Sequence, residues 1–166
     1  MAKVVFKVGD DVSTDIIYPG RFMATVLPTE TPQFAFIDYP EFNAKVKKKE
    51  FPAHSIIVAG KNFGCGSSRE QAASCLKGPN FVVVAKNFSR IFLQNAINLG
   101  LKMVICPDIE ANEGDELEFT VDQVINKTSA KSFAIVALPK ARQVIIDAGG
   151  LIPFTRKLLI DSKGKH

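Results

Sequence analysis

Three short apolar runs in the middle of the chain predict buried strands, and they span residues 55–60, 81–85 and 102–106. Amphipathic segments at 67–78 and 89–99 separate these runs and predict helices, because Gly78 and Gly100 follow where helices commonly end. Buried strands that alternate with helices are typical of a parallel sheet with right-handed crossovers. The middle of the chain is therefore predicted to form a β-α-β-α-β unit.

The flanking segments predict the remaining elements of an α/β domain. The expected elements are a strand at 3–8, a short helix at 40–48, an antiparallel pair of strands at 115–121 and 132–138, and a final helix at 140–148. Prolines punctuate the irregular region 11–52, and so long an excursion in a compact domain is usually functional. We predict one domain over residues 1–160, with a central, mostly parallel sheet, flanking helices and added antiparallel strands, and a polar tail at 161–166.

Composition and charge exclude several classes of protein. The 166 residues are 46% hydrophobic and 23% charged, which is normal for a folded domain and excludes disordered or fibrous chains. No apolar run approaches the roughly 20 residues of a membrane-spanning helix. The start of the chain lacks the features of a secretory signal, so we expect a cytoplasmic protein. The net charge of +4 is mild, which makes nucleic acid a weak candidate partner.

The cysteines and histidines do not predict a metal site within the chain. The chain has an odd number of cysteines without C-x-x-C spacing, namely Cys65, Cys75 and Cys106. Its histidines are His54 and His166. Structural zinc and iron–sulfur sites need about four closely grouped soft ligands. We therefore expect reduced thiols and no metal bound by this chain, so that any metal chemistry comes from elsewhere.

A glycine-rich loop joins the first buried strand of the unit to the helix that follows it. Gly64 and Gly66 let a ligand approach the main chain, and the free N–H groups of a helix N-terminus favour an anion. Ser67 and Glu70 have the spacing of a capping box, which predicts that the helix begins at Ser67. The loop lacks the lysine of a nucleotide P-loop and the third glycine of a dinucleotide fingerprint. The pattern alone leaves a capped helix after a tight turn as an equal alternative to an anion site.

Arg69 shifts this balance towards a binding site. An arginine in the first turn of a helix opposes the helix dipole and is unfavourable without an anionic partner. Together with Ser67, Ser68 and the free N–H groups, its guanidinium is suited to bind a carboxylate through two hydrogen bonds. The chemistry of the loop therefore indicates a small acid as the ligand.

Three motifs give the chain a resemblance to a known family. Residues 62–72 read N-F-G-C-G-S-S-R-E-Q-A, residues 13–21 contain T-D-I-I-Y-P, and residues 88–101 read F-S-R-I-F-L-Q-N-A-I-N-L-G-L. They resemble the N-F-G-x-G-S-S-R-E-x-A signature, the T-D loop and a helix of the aconitase superfamily swivel domain, as found in small subunits of isopropylmalate dehydratase and homoaconitase. The resemblance covers nearly the whole chain and implies the swivelling β/β/α fold of that family.

The resemblance also implies roles for individual residues. Ser67 would be the catalytic base that removes a proton next to a carboxylate, and Ser68 and Arg69 would hold a substrate carboxylate. Asp15 would pair with a histidine of a partner chain, and Arg21 would be a further substrate contact. A [4Fe-4S] cluster would be bound by cysteines of a large partner subunit, in a heterodimer or heterotetramer, so the present chain would be inactive alone.

A four-residue segment occupies the position at which related enzymes select their substrate, and it consists of Phe22, Met23, Ala24 and Thr25. It matches neither family pattern, and Ala24 offers no second arginine for a distal carboxylate, which disfavours a long tricarboxylate such as homocitrate. The expected function is a hydro-lyase that interconverts 2-isopropylmalate and 3-isopropylmalate in leucine biosynthesis. The alternatives are a homoaconitase, a dimethylmalate or citraconate type of hydro-lyase, a carboxylate-binding module without catalysis, and an RNA-binding protein.

Overall fold

The computed structural model describes residues 1–164, which fold into a seven-stranded mixed sheet with helices. The strands are β1 (Ala2–Lys7), β2 (Ile56–Ala59), β3 (Val82–Ala85), β4 (Lys102–Ile105), β5 (Glu116–Phe119), β6 (Gln123–Asn126) and β7 (Lys131–Ala134). The helices are α1 (Thr14–Ile17), α2 (Pro40–Lys47), α3 (Glu70–Lys77), α4 (Arg90–Leu99), α5 (Lys140–Asp147) and α6 (Leu151–Lys163). Short 3-10 turns at Gly20–Phe22 and Thr31–Phe34 lie in the proline-rich region between β1 and β2.

The sheet has a parallel half, β1 to β4, and an antiparallel half, β5 to β7, which meet where β1 pairs with β5. The strand order is β4-β3-β2-β1-β5-β6-β7. Neighbouring strands of the first half run parallel, whereas β5, β6 and β7 continue the sheet with antiparallel pairing. The predicted α/β class and the β-α-β-α-β unit are confirmed.

Both faces of the parallel half are covered, as its continuous apolar strands require. Successive residues of a strand point to opposite faces of the sheet. Ile57 of β2 therefore joins a core that includes residues of α2, α3 and α4, while its neighbour Ile56 joins a second core with Leu117 and Val124 of the antiparallel half. The helices cover one face, and residues of the antiparallel half help to bury the other.

The antiparallel half differs from its prediction in one strand. The sequence pattern predicts direct pairing between the strands near 115–121 and 132–138, but β6 lies between β5 and β7 and pairs with both. A tight turn, in which the Thr120 N–H donates to the Gln123 carbonyl at 2.9 Å, connects β5 to β6. The direct pairing is therefore wrong, because a four-residue strand after so short a turn gives too little alternation to be recognised.

Two helix predictions also need correction. α3 begins at Glu70 and has Arg69 in its N-cap position without a side-chain cap, so the predicted start at Ser67 is wrong. After Gly149 and Gly150, where the pattern predicts that helical structure ends, α6 begins and continues to Lys163. The expected polar tail at 161–166 thus overlaps a helix, and residues 165–166 lie outside the described residues.

α6 packs on α4 and α5 but has no buried residue of its own. It exposes apolar side chains, among them Ile152, Leu159 and Ile160. Neither α6 nor any other helix in residues 1–164 is both long and apolar enough to cross a membrane.

Candidate active site

The loops that follow three parallel strands meet at the carboxyl edge of the parallel half. The loop after β1 is joined to the loop after β2 where Thr14 donates its N–H to the Cys65 carbonyl at 2.8 Å. The loop after β2 is joined to the loop after β3 where Ser89 donates its N–H to the Phe63 carbonyl at 2.9 Å. Ligands of open α/β sheets usually bind outside this edge. The glycine-rich loop therefore lies in the middle of a candidate site.

Two positions of this loop require glycine, for different structural reasons. Gly64 and Gly66 have φ values of +80° and +98°, a region that L side chains rarely adopt. A Cβ at Gly64 would also lie 2.2 Å from Phe92 Cγ, which is far too close for two carbon atoms. A Cβ at Gly66 would meet no atom closer than Thr14 Oγ1 at 3.5 Å. Gly64 therefore serves both the turn and the packing on α4, whereas Gly66 serves the turn alone.

Ser67 is exposed, and the buried Thr14 holds it in place. Its Oγ lies 3.1 Å from Thr14 Oγ1, and its N–H donates to the same oxygen at 3.2 Å. Thr14 is 2% exposed and is the first residue of α1. Ser67 is thus held by a residue 53 positions away in the T-D loop instead of capping α3. Sequence reasoning gives Thr14 no role, although the T-D motif that contains it was the available signal.

Arg69 finds its anionic partner in Asp15. The Arg69 Nη1 group donates to Asp15 Oδ1 at 2.6 Å and to the Tyr18 carbonyl at 3.4 Å. The Gly20 N–H donates to the same Asp15 oxygen at 2.9 Å. The Arg69 side chain is 20% exposed and the Asp15 side chain 67% exposed. The sequence indicates that Arg69 needs an anionic partner and assigns a small acid to that place. Asp15 supplies such a partner within the chain, so the binding of an acid stays a prediction.

The electrostatics of Asp15 follow from these contacts. The hydrogen bond from Arg69, and then the one from the Gly20 N–H, hold the pKa of the Asp15 carboxyl below its ordinary value. The carboxylate is therefore ionised at neutral pH. Among residues 1–164, no hydrogen bond reaches its Oδ2 atom. The contact between Asp15 and a histidine of a partner chain stays a prediction, for which this second oxygen is available.

α4 supports the loop from one side. Asn95 donates its Nδ2 hydrogen to the Ser68 carbonyl at 3.0 Å, and Ser89 donates its hydroxyl to the Gly64 carbonyl at 2.6 Å. The Ser68 side chain is exposed next to Ser67. The structure therefore brings together Ser67, Ser68, Arg69 and Asp15, four of the five residues predicted for catalysis and substrate binding.

Arg21 is the fifth, and its side chain is engaged elsewhere. Its guanidinium forms two hydrogen bonds with the Asp38 carboxylate and lies over the Phe22 ring, 4.9 Å from the ring centre. The hydrogen bond with Asp38 raises the pKa of Arg21, which stays charged. In residues 1–164 no hydrogen bond joins it to Ser67, Ser68 or Arg69. Its contact with a substrate stays a prediction.

The predicted selector segment is anchored at both ends. Phe22 stacks on Phe34 with ring centres 4.3 Å apart, and the Tyr18 hydroxyl donates to the carbonyls of Phe22 and Thr25. Met23 and Ala24, between these anchors, are exposed. Two of the four predicted residues thus have exposed side chains, and the role of the segment as a selector stays a prediction.

The three thiols are dispersed and mostly inert. Cys75 and Cys106 are buried, and burial raises the pKa of the Cys106 thiol to about 11. Cys65 is half-buried in the glycine-rich loop. Over the described range 1–164, no three His, Cys, Asp or Glu side chains are grouped so that they could hold a metal ion. The residues present therefore do not fit a metal cluster bound by this chain alone.

Comparison with known proteins places this geometry in a family. Residues 11–106, more than half of the chain, match the family described as the aconitase C-terminal domain. The chain belongs to this family. A crystal structure described as 3-isopropylmalate dehydratase (leuD) from Methanocaldococcus jannaschii superposes with a TM-score of 0.88 at 35% identity, covering 99% of this chain and 98% of the other.

Three curated relatives extend the comparison over nearly the whole chain. The Methanosarcina mazei protein named 3-isopropylmalate dehydratase small subunit is 42% identical, and the alignment covers 93% of this chain and 95% of that protein. An isopropylmalate/citramalate isomerase small subunit from Methanocaldococcus jannaschii is 42% identical, and the alignment covers 96% of this chain and 95% of that protein. A 2,3-dimethylmalate dehydratase small subunit from Eubacterium barkeri is 41% identical, covering 90% and 93%. The swivel-domain resemblance is therefore confirmed.

Proposed function

We propose that this chain is the small subunit of a heteromeric hydro-lyase of the 3-isopropylmalate dehydratase type. Its reaction would interconvert 2-isopropylmalate and 3-isopropylmalate by dehydration and rehydration, as part of leucine biosynthesis. The observation that carries the proposal is the exposed Ser67 beside the Arg69–Asp15 pair, where three loops meet. Relatives named as this small subunit align with more than nine tenths of the chain, which supports the same assignment.

Ser67 is the proposed base for the proton next to a substrate carboxylate. A serine hydroxyl is a weak base, so its deprotonated oxygen has to be stabilised by donors that are already in place. The N–H groups of Ser68 and Arg69 follow Ser67 directly and have no acceptor among residues 1–164. The Arg69 guanidinium adds positive charge to the same loop. This arrangement suits both an alkoxide at Ser67 and an anionic substrate.

Arg69 and Ser68 are the proposed substrate contacts. Arg69 uses Nη1 for Asp15 and Tyr18, while its Nη2 and Nε atoms make no hydrogen bond within the described residues. These two donors have the fork geometry that binds a carboxylate with two hydrogen bonds. Asp15 therefore orients the guanidinium without occupying the donors that a substrate would need.

Met23 and Ala24 are the proposed selectors of the substrate side chain. Both are exposed between anchored neighbours, and neither brings a charge for a distal carboxylate. This suits the branched alkyl group of isopropylmalate. A methylated malate is a second candidate, because the relative named for 2,3-dimethylmalate is 41% identical, almost as similar as the isopropylmalate relatives.

The proposal requires a large partner subunit. A [4Fe-4S] cluster held by that partner would supply, when bound, the Lewis acid that accepts the leaving hydroxyl group. The contributions of the present chain are the base, the carboxylate contacts and the selector segment. A cytoplasmic location belongs to the same proposal, and the three free cysteines fit a reducing compartment.

The proposal is tested by producing the chain together with the cluster-bearing large subunit and assaying 2-isopropylmalate, 2,3-dimethylmalate and homocitrate. We expect turnover of isopropylmalate, and a loss of about 10²- to 10⁴-fold in kcat for Ser67→Ala because a general base is removed. The exposed Ser132 on β7 gives a matched control, Ser132→Ala, that should retain full activity. The enzyme assignment is refuted if the wild-type complex turns over none of these acids, and retained activity in Ser67→Ala would refute the base assignment.

A further inference from the structure

The side chain of Thr14 carries a buried hydroxyl, and in the described part of the chain all of its hydrogen bonds involve the exposed Ser67. Its Oγ1 atom accepts the Ser67 N–H at 3.2 Å and lies 3.1 Å from Ser67 Oγ. We propose that Thr14 is a positioning residue, which fixes Ser67 through the main-chain contact and donates its own hydroxyl hydrogen to Ser67 Oγ when that oxygen has lost its proton. The proposal rests on the proposed role of Ser67 as a base.

The position of Thr14 is fixed by its backbone. Its N–H donates to the Cys65 carbonyl at 2.8 Å, and its carbonyl accepts the Tyr18 N–H at 2.8 Å. Ser13, which precedes it, caps α1 with its side chain and forms a bridge with Cys65. Threonine is also stiff at χ1, because two heavy atoms are attached to its Cβ. The hydroxyl is therefore held at one place against the glycine-rich loop.

The hydrogen-bond capacity of the hydroxyl determines which way its hydrogen points. A threonine hydroxyl has one donor hydrogen and two acceptor sites. The Ser67 N–H uses an acceptor site, and within residues 1–164 the remaining polar neighbour of Oγ1 is Ser67 Oγ. While Ser67 is protonated, either hydroxyl is able to donate to the other. Once the Ser67 hydroxyl has lost its proton, Thr14 is the donor of this pair and Ser67 Oγ is the acceptor.

The contact therefore strengthens when Ser67 becomes an anion. A hydrogen bond to a charged oxygen is roughly twice as strong as one between neutral groups. This difference favours the deprotonated form of Ser67 and lowers its pKa, as any donor to a charged group does. Burial of Thr14 makes the donor preorganised, because it is 2% exposed and its hydroxyl has little access to competing water.

Two substitutions separate this role from simple packing. Thr14→Val keeps the shape of the side chain and removes the hydroxyl, and Thr14→Ser keeps the hydroxyl and removes a methyl group. In the chain alone, we expect Thr14→Val to speed hydrogen exchange at the Ser67 amide by about tenfold or more, because that N–H loses its acceptor. Thr14→Ser should leave this exchange close to wild type. Equal exchange rates in wild type and Thr14→Val would overturn the positioning contact without any activity assay.

The donor role is tested in the complex with the large subunit. For Thr14→Val we expect kcat to fall about 10- to 100-fold with KM nearly unchanged, as for the loss of one hydrogen bond to a charged group. The rising limb of the kcat–pH profile should move to higher pH, because Ser67 loses a donor to its anion. Thr14→Ser should recover most of kcat.

The outcomes distinguish this proposal from the function on which it rests. If the wild-type complex is active and Ser67→Ala is not, an unchanged kcat and pH profile in Thr14→Val overturns the donor role alone. The donor role would also be overturned if kcat fell equally in Thr14→Val and Thr14→Ser without a shift of the pH profile. That result would mean that Thr14 acts through the packing of its side chain. An inactive wild-type complex would overturn the proposed function together with the donor role.

Discussion

The parallel and antiparallel halves of the sheet differ in burial and in what they carry. β2 and β3 are buried at every residue, whereas β7 has no buried residue. The three loops that meet at the candidate site all follow strands of the parallel half. The antiparallel half instead helps to cover one face of the sheet. Substitutions in the first half should therefore change stability and activity together, and substitutions in the second should change stability alone.

The largest effect is expected in the parallel half, at Gly64. Gly64→Ala places a Cβ 2.2 Å from Phe92 Cγ in a backbone conformation with φ of +80°. The left-handed conformation and the overpacking together should lower the free energy of unfolding by about 3 kcal/mol or more. Because the same loop continues to Ser67, activity of the complex should fall as well. Urea unfolding of the chain and turnover of the complex measure the two effects.

Gly66→Ala is the matched control for this prediction. Its φ of +98° is equally unfavourable for alanine, but a Cβ there meets no atom closer than 3.5 Å. Gly66→Ala should therefore lower the free energy of unfolding only through the unfavourable backbone conformation, by about 1–2 kcal/mol. An equal loss of stability in the two variants would mean that packing on α4 does not distinguish the two glycines.

The next effect is expected in the antiparallel half, at Asn126. This side chain is 1% exposed, donates to Asp115 Oδ2 at 2.8 Å, and accepts the N–H groups of Thr128 and Ser129 at 3.1 Å. Asn126→Ala removes these three hydrogen bonds, each worth about 1 kcal/mol, and should lower the free energy of unfolding by about 2–3 kcal/mol. kcat and KM of the folded complex should be unchanged, which steady-state kinetics below the unfolding transition would check.

An exposed residue of the same strand provides the reference. Gln123 begins β6 and is exposed, so Gln123→Ala should change stability by less than about 0.5 kcal/mol. A change of kcat in Asn126→Ala, measured where the variant complex is fully folded, would show that the antiparallel half also affects the site. The proposed division of roles between the two halves would then be wrong.

The parallel half is also the half that the sequence predicts well. Its strands are continuous apolar runs bounded by glycine and polar residues, and each following helix has a local end signal such as Gly78 or Gly100. The motif at 62–72 places the candidate site on the loop after β2. These signals are local in the chain, so the pattern alone is enough to locate them.

The contacts within the site are long-range and could not be predicted in the same way. Arg69 and Asp15 are 54 residues apart, and Ser67 and Thr14 are 53 apart. They meet because β1 and β2 are parallel neighbours, which the sequence pattern does not state. The capping-box spacing at Ser67 and Glu70 was misleading for this reason, since Thr14 competes for the serine. β6 was missed because one of its two buried residues is the polar Asn126, and α6 was missed because none of its residues is buried.

The smallest effect is expected at Arg21, which follows β1 in the chain and pairs with Asp38. Arg21 and Asp38 are paired, with side chains 55% and 57% exposed, and ion pairs so open to solvent contribute little to stability. Arg21→Gln should therefore leave the urea midpoint of unfolding close to that of the wild-type chain. If the guanidinium serves only its contact with Asp38, KM should also change by less than about threefold.

Asp38→Asn separates the two roles that Arg21 is able to have. It weakens the same ion pair but leaves the guanidinium free to reach a ligand. If Arg21 contacts a substrate carboxylate, Arg21→Gln should raise KM about tenfold or more while Asp38→Asn leaves KM unchanged or lowers it. If both variants behave like wild type, the arginine stabilises only the turn before the selector segment. The substrate carboxylate then depends on the loop after β2, where Arg69 Nη2 and Nε make no hydrogen bond to any residue of the range 1–164.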